Sequence, residues 1–530
     1  MAVLHLELAK ALKVLQRLQR RYGGVVQSVE LADDQRQRLA DAGFLRPVIK
    51  GWYVCSNPAD APGDSTGWYG AYWTFLARYL GARFGKRYVL SVPESILLHT
   101  CSTLVPAQVV VLAATGGSSA LQLPHGTSLL TYQDAPNLPR HRVVVRGLQV
   151  RPLADALCRA EPAFFRSRPR EAEIALHLQR DVADLLSILL AGAGMPTAAG
   201  RLAGAMRFVG RVADAERIVQ TMQLAGHSVS ESNPFAVATP TLPRRSTHSP
   251  YVLRLQSLWA GWRQTVVAAL PTPPGIPTDP QKYLRQVADH YALDAYNSLS
   301  IEGYQVSDAL IRRVGAGNWN PDASQEDRQS RDALAARGYF QAFAAVQQSL
   351  ARILAGESPA QVVDGDHHRW HRELFAPAVT AGLLRPEQLA GYRNGPVFIR
   401  NSLHTPPPPT ALLDCMEALF NLLQAEPHAG VRAVLGHMLF AFVHPYFDGN
   451  GRVARFAMNA MLASGGYPWT VIRTARRTEY MAALEAASAG GDIQPFARFV
   501  AEEMAAGGAT GSGDLEVHDR LTWKPSTHQS

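Results

Sequence analysis

Between His444 and Arg455 the sequence HPYFDGNGRVAR gathers side chains that could move a proton and hold phosphate. Histidine has an unperturbed pKa of about 6.5, so His444 is suited to take a proton from a hydroxyl near neutrality. Asp448 offers a hard carboxylate oxygen of the kind Mg2+ takes while bridging phosphates. Gly449, Asn450 and Gly451 lead into a helix. A glycine-bearing turn there lets successive backbone N–H groups converge on one anion, reinforced by the positive end of the helix dipole. Arg452 and Arg455, on the first helical turn, add guanidinium groups for outer phosphate oxygens. Taken singly, each feature has an ordinary explanation: a histidine at a helix end caps or packs, and G-x-G makes a tight turn. A base, a metal-binding acid, an anion nest and two arginines in one short run point instead to chemistry on a phosphate-bearing substrate.

Flanking elements must aim these groups. Val431, Val434, Leu435, Met438, Leu439 and Phe442 predict a helix that delivers His444 to its end, where Pro445 turns the chain away. A second helix is expected from near Arg452, with Val453, Phe456, Ala460 and Met461 inward. Upstream, Leu284, Val287, Tyr291, Ala295 and Leu299 share one face of a predicted helix. Tyr339, Phe340, Phe343, Leu350 and Leu354 mark another, and Leu412, Leu413, Met416, Leu419, Phe420 and Leu423 a third.

The run from His444 resembles the Fic motif, H-P-F-x-[D/E]-G-N-G-R-x-x-R, with one departure: Tyr446 stands where phenylalanine is usual, and its hydroxyl needs a partner. The resemblance implies an all-α Fic (Fido) domain with a β-hairpin flap. In it, His444 deprotonates a Ser, Thr or Tyr hydroxyl of a target protein, the oxygen attacks the α-phosphate of ATP, and pyrophosphate leaves. It further implies Asp448 as the Mg2+ ligand and Gly449, Asn450 and Gly451 as the phosphate cradle, with Arg452 and Arg455 toward the β and γ groups. ATP and Mg2+ are the expected substrate and cofactor. Retention of Gly451, Arg452 and Arg455 favours AMP transfer over the kinase-like members of the wider family.

Two more segments carry the resemblance. SLSIEG, Ser298 to Gly303, is similar to the family's inhibitory motif, [S/T]-x-x-x-E-[G/N], implying that Ser298 and Glu302 engage Arg455 in place of the γ-phosphate. The plain alternative is a solvated glutamate at a helix end. In some relatives the same glutamate supports removal of AMP, and that reading stays open. GYRNGPVFIRNSLHTPPPP, Gly391 to Pro409, resembles the flap, implying that Val397, Phe398 and Ile399 form a strand that registers an extended target segment by backbone pairing. Its alternative is a hairpin packed on the helices. His367, His368 and His371 have no acid or cysteine partner at supporting spacing and are not read as a zinc site.

The N-terminal half reads differently. Leu8, Leu12, Leu15 and Leu18 mark a helix stopped by Gly23 and Gly24, and a second polar helix covers 31–42. The basic interval with Arg46 and Lys50 then leads to the strand-like Gly51 to Val54. Helix, helix, hairpin is the winged-helix order and suggests a DNA contact, with a protein-docking module or a solvated basic cap as alternatives. LADAGFLRPVIKGWYV and YVLSVPESILLHTCS resemble the AbiEi-like antitoxin family, implying a winged-helix head and a regulatory role. Short apolar runs from Val109 to Leu153 predict strands, and Ala- and Leu-rich sequence from Glu171 to Leu224 predicts helices.

The expected organisation is multidomain and mainly α. A winged-helix-like module spans 1–58, an α/β region 59–226, a linker and connecting segment 227–280, the Fic domain with its inhibitory helix 281–505, and a flexible tail 506–530. Of the 530 residues 47% are hydrophobic and 18% charged, which favours globular burial over disorder. A net charge of +8 permits nucleic acid or acidic surfaces as partners without requiring either. Four dispersed cysteines suggest neither a disulfide framework nor a structural zinc site, and the longest apolar run, Leu185 to Gly194, is too short for a bilayer. The expectation is a cytoplasmic protein, not membrane-bound, whose partners are a target protein and optionally DNA or a second copy of the chain. The competing functional readings are a DNA-binding, toxin–antitoxin-like regulator whose Fic domain senses nucleotide, and transfer of UMP from UTP or of phosphocholine.

Overall fold

Glycine and apolar spacing set the first elements of the structure, a computed structural model. It describes every residue except Met1, 61–62, 192, 238, 243–248, 317–330 and 510–530. Helix α1 (Ala2–Tyr22) ends at Gly23 and Gly24, both at positive φ (63° and 86°), as a helix stop requires. Then follow β1 (Val25–Gln27), α2 (Asp33–Asp41), β2 (Leu45–Ile49) and β3 (Trp52–Cys55), the strands forming an antiparallel sheet in the order β1-β3-β2. Strand β1 was not expected between the two helices: three residues, Val25 to Gln27, are too short to show a period.

Next come α3 (Thr66–Phe84), β4 (Tyr88–Leu90), α4 (Val92–His99), β5 (Gln108–Ala113), β6 (Ser119–Gln122) and β7 (Ser128–Gln133). They build a sheet of order β4-β5-β7-β6 in which β5 and β7 run parallel. A hairpin of β8 (Val143–Val145) and β9 (Leu148–Val150) leads into six helices: α5 (Leu153–Arg159), α6 (Pro162–Ser167), α7 (Pro169–Leu178), α8 (Val182–Leu189), α9 (Pro196–Phe208) and α10 (Val212–Leu224). This half carries strands where short apolar runs were broken by Gly and Pro, and helices where Ala and Leu dominate.

The segment 227–280, expected to be connecting chain, contains a core helix. Helix α11 (Pro250–Ala269) starts with proline in its first turn and buries Val252, Leu255, Leu258, Trp259, Trp262 and Val266 against the helices that follow. Its Leu253 packs instead with Ile174 and Leu242, and its buried Arg254 donates to Glu171 Oε1 (3.0 Å) and to the Thr100 carbonyl (3.2 Å). The helix therefore belongs to both halves. Proline-rich stretches flank the apolar run that forms it.

The remaining described helices are α12 (Pro280–Asp289), α13 (Tyr291–Ile301), α14 (Asp308–Gly315), α15 (Arg331–Leu354), α16 (Pro359–Thr380), α17 (Leu412–Ala425), α18 (Ala429–Val443), α19 (Asn450–Ala463), α20 (Arg477–Ser488) and α21 (Gln494–Ala509). Helices α18 and α19 are buried on nearly every side, as their all-round apolar sequence requires, and form the centre of the largest core. The single helix expected through Leu284 and Leu299 is broken at His290. There the imidazole Nδ1 meets the Gln286 carbonyl at 2.7 Å, taking the acceptor that a continuous helix would give to the His290 N–H.

The flap is not a hairpin. Val397, Phe398 and Ile399 belong to no strand, which corrects the expected edge strand. Pro396 and the run Pro406 to Pro409 remove donors a ladder would need. The pairings that form go to the N-terminal half: Leu104 bridges His404, Val105 N donates to the Leu403 carbonyl (3.1 Å), and Thr405 N to that of Thr103 (2.7 Å). Of the tail expected from residue 506, residues 506–509 close α21 and the rest lies outside the described residues. Among the described residues no helix is long and apolar enough to cross a membrane.

Candidate active site

Helix α18 ends because His444 turns left-handed, at φ 53° and ψ 60°, with its N–H on the Phe440 carbonyl (2.9 Å). Its ring Nδ1 lies 3.1 Å from the Ala441 carbonyl, so Nδ1 carries the hydrogen and Nε2 is left as the acceptor. Burial holds the imidazole pKa below its ordinary value. Nearby Arg393 acts in the same direction, and the Ala441 carbonyl opposes both. The neutral ring is the form a general base needs at pH 7.

Arg393 was not singled out in the sequence, yet it anchors the base. It is buried, and its guanidinium donates to the carbonyls of His444 (2.7 Å), Gly395 (3.0 Å) and Pro407 (2.5 Å). One side chain thus ties the end of α18 to both roots of the flap. Desolvation lowers its pKa to about 10, which leaves it charged at neutral pH. Nothing in its spacing distinguishes it from the other flap residues.

The loop after His444 is clasped from within. Asn450 Nδ2 donates to the Tyr446 carbonyl and Asn450 Oδ1 accepts from the Tyr446 N–H, both at 2.8 Å. The expected cradle role of Asn450 is thereby divided: its amide builds the loop, and only its backbone N–H faces the helix start. The Tyr446 hydroxyl pairs with His368 Nδ1 at 2.8 Å, and its ring stacks on His371 with centroids 3.7 Å apart. His371 in turn reaches the Asp448 carbonyl with Nε2 (3.1 Å), and burial pushes its pKa down to about 4. The histidine cluster therefore buttresses the loop. Among the described residues no group of histidine, cysteine and acid side chains is arranged as a metal site.

Gly449, at φ 84°, opens α19, and a Cβ there would stand 2.9 Å from the Phe375 ring. The helix's first N–H groups lack intrahelical acceptors and carry its positive pole. Asp448 Oδ1 accepts from Gly449 N (2.6 Å) and from Arg452 (3.2 Å), while its side chain stays 59% exposed. Arg452 is 1% exposed, lies over the rings of Phe375 and Tyr304, and has Nε and one terminal nitrogen without a hydrogen-bond partner. A buried guanidinium in that state fits an anionic ligand. Beside it, a cavity of about 380 Å³ is walled by Leu374, Phe375, Leu383, Leu384 and Phe447, with Asp448 and Arg452 at its polar end.

Arg455 meets the end of α13, residues 298–302. Its Nε donates to Ser298 Oγ (2.9 Å), and one terminal nitrogen reaches both the Ser298 carbonyl (3.1 Å) and Glu302 Oε1 (2.6 Å). Glu302 caps α13, and its carboxylate crosses Gly451 so closely that a Cβ there would stand 2.4 Å from Oε1. A carboxylate at a helix C-terminus faces that helix's negative pole, a cost of about 0.3–1 kcal/mol that the Arg455 pair offsets. Ser298, Glu302, Gly449, Asn450, Gly451, Arg452 and Arg455 are thus brought together. Val397, Phe398 and Ile399 follow Gly395, which itself packs against the Phe447 ring.

Residues 366–462 match the model of the Fic/DOC family. The chain is 42% identical over 125 residues to the protein adenylyltransferase Fic of Nematostella vectensis, covering 23% of this chain and 28% of that protein. To the protein adenylyltransferase Fic of Drosophila virilis it is 28% identical over 222 residues, covering 41% and 42% respectively. The match thus spans less than half the length of these curated relatives. Among solved structures, Fic-1 from C. elegans is 21% identical with a TM-score of 0.35, covering 58% of this chain and 94% of that one. A Fic domain containing signaling protein from Bacteroides thetaiotaomicron is 18% identical with a TM-score of 0.33, covering 48% and 93%.

Proposed function

We propose that this chain, which carries a Fic/DOC-family segment over residues 366–462, is a protein adenylyltransferase restrained by Glu302. It transfers AMP from ATP to a Ser, Thr or Tyr hydroxyl of a target protein. The observation that carries the reading is the Glu302 carboxylate lodged against Gly451 and Arg455, a protein anion lying across the start of α19. Such a place is built for phosphate, and a carboxylate there competes with it for one guanidinium.

With Glu302 withdrawn, the N–H groups opening α19 and the side chains of Arg452 and Arg455 hold the polyphosphate. His444 Nε2 takes the acceptor proton, the hydroxyl oxygen bonds to the α-phosphorus, and the bond to the leaving pyrophosphate breaks. The residues supply orientation and fixed positive charge rather than covalent chemistry. Mg2+ suits the exposed Asp448 carboxylate, because this ion commonly takes one or two protein carboxylates and completes its shell with phosphates and water. When bound it would neutralise phosphate charge.

The test is incubation with labelled ATP and, in parallel, labelled UTP, followed by mass spectrometry of modified residues. Glu302→Gly should raise AMP incorporation by about tenfold or more, since it removes the competing anion. His444→Ala should abolish it. Equal labelling by the native and Glu302→Gly chains defeats the restraint, incorporation that survives His444→Ala defeats the role of the base, and incorporation from UTP alone defeats AMP transfer.

A further inference from the structure

The segment 397–403 has no ladder of its own, so its position must be set from outside. Arg393 fixes its roots, and Glu485 accepts from Ser402 Oγ (2.6 Å) and Leu403 N (2.9 Å). The stretch between is held by the N-terminal half. The Phe398 ring lies on Gly70 of α3, so close that a Cβ there would stand 2.9 Å from Cε2 and Cζ. Arg400 pairs with Asp64 across 3.3 Å, and that carboxylate is 4% exposed. Asn401 Oδ1 accepts from Ser65 N, and Asn401 N donates to Thr66 Oγ1, each at 3.3 Å. Asp64 also accepts from Thr66 N (2.8 Å), so the start of α3 is ordered by the same residue that grips the flap.

We propose that the segment leading into α3, Asp64 to Gly70, is a positioning part of the acceptor site: it sets the height of Val397 to Ile399 relative to the phosphate cradle. The inference rests on the adenylyltransferase reading. A proline-flanked segment with few hydrogen bonds of its own, Ser402 N to the Ile399 carbonyl (3.2 Å) and His404 N to Ser402 Oγ (3.0 Å), loses little by moving. In-line attack, however, tolerates misplacement of only about 1 Å before rates fall by roughly two orders of magnitude. The N-terminal half, remote in sequence, supplies the missing rigidity. Phe398 remains 40% exposed, so its ring is anchored on one side and open to an acceptor on the other.

The test places Gly70→Leu in the full-length Glu302→Gly chain. Leucine favours the helix over glycine, so α3 should persist while Phe398 is displaced. Amide hydrogen exchange across 397–405 should accelerate by about tenfold, and AMP transfer to the chain's own hydroxyls should fall by roughly fivefold or more. ATP affinity should stay within about twofold, because among the described residues no hydrogen bond or ion pair joins α3 to Arg452, Arg455 or the start of α19. Adding Phe398→Leu, which trims the displaced ring, should recover part of the transfer. Unchanged exchange, faster exchange with unchanged transfer, or transfer lost together with ATP affinity would each overturn the inference. A Glu302→Gly parent that transfers no AMP overturns the function itself, whereas a loss confined to the Gly70 variant bears on the anchoring alone.

Discussion

At His444 the direction of the pKa shift has a kinetic consequence. Burial and Arg393 lower it, so the proton-accepting form persists to lower pH than a free histidine allows. The ascending limb of kcat/KM should have its midpoint below about 6.5, with a plateau through neutrality. A rate profile with its midpoint above that value would contradict a buried neutral base. Tyr446 supplies a second expectation at this scale. Tyr446→Phe removes its hydrogen bond to His368, a loss of about 1 kcal/mol. The melting temperature should fall by about 2–4 °C, with little change in AMP transfer. A large rate loss at unchanged stability would give the hydroxyl a part in the chemistry. The motif residues were legible in the sequence because their types and spacing answer to phosphate chemistry. Arg393 and His368 were not, because their roles arise from burial and from partners far away in the chain, the His444 carbonyl and the Tyr446 hydroxyl.

Elements with a long period were legible too: α15, α17, α18 and α19 stand where apolar spacing placed them. The failures share a cause, since each element yields to an interaction that spacing cannot express. Strand β1 forms because β3 is there to pair with it, and His290 divides α12 from α13 by occupying a backbone acceptor. The expected flap strand loses its donors to proline and its pairing to the 103–105 loop. The junction of α18 and α19 is exposed to a single change. Gly449→Ala would meet both a positive φ and the Phe375 ring 2.9 Å away. Calorimetric titration with Mg·ATP in the Glu302→Gly background should then weaken by about tenfold or more, as the first turn of α19 shifts. Undiminished affinity would mean that the turn absorbs the methyl group.

For the molecule as a whole, α11 decides what can be separated from what. A fragment 281–509, cut at the boundary suggested by sequence, loses Leu255, Leu258, Trp259 and Trp262 from its core. Each large buried side chain is worth about 1.5–3 kcal/mol, so the sum rivals the ~5–15 kcal/mol that holds a domain together. That fragment should bind a hydrophobic dye and melt without a sharp transition, whereas 249–509 should unfold cooperatively. Equal melting curves would show α11 to be dispensable. The two prolyl stretches concealed this helix because composition marks where a chain turns, not what it buries between turns. The same arrangement burdens synthesis. The two tryptophans of α11 leave the ribosome well before α17 and α18, which pack on that helix, have been made. At about 5–20 residues per second that delay is on the order of 10–35 s. Throughout it the nascent chain presents a greasy stripe to whatever chaperone reaches it first.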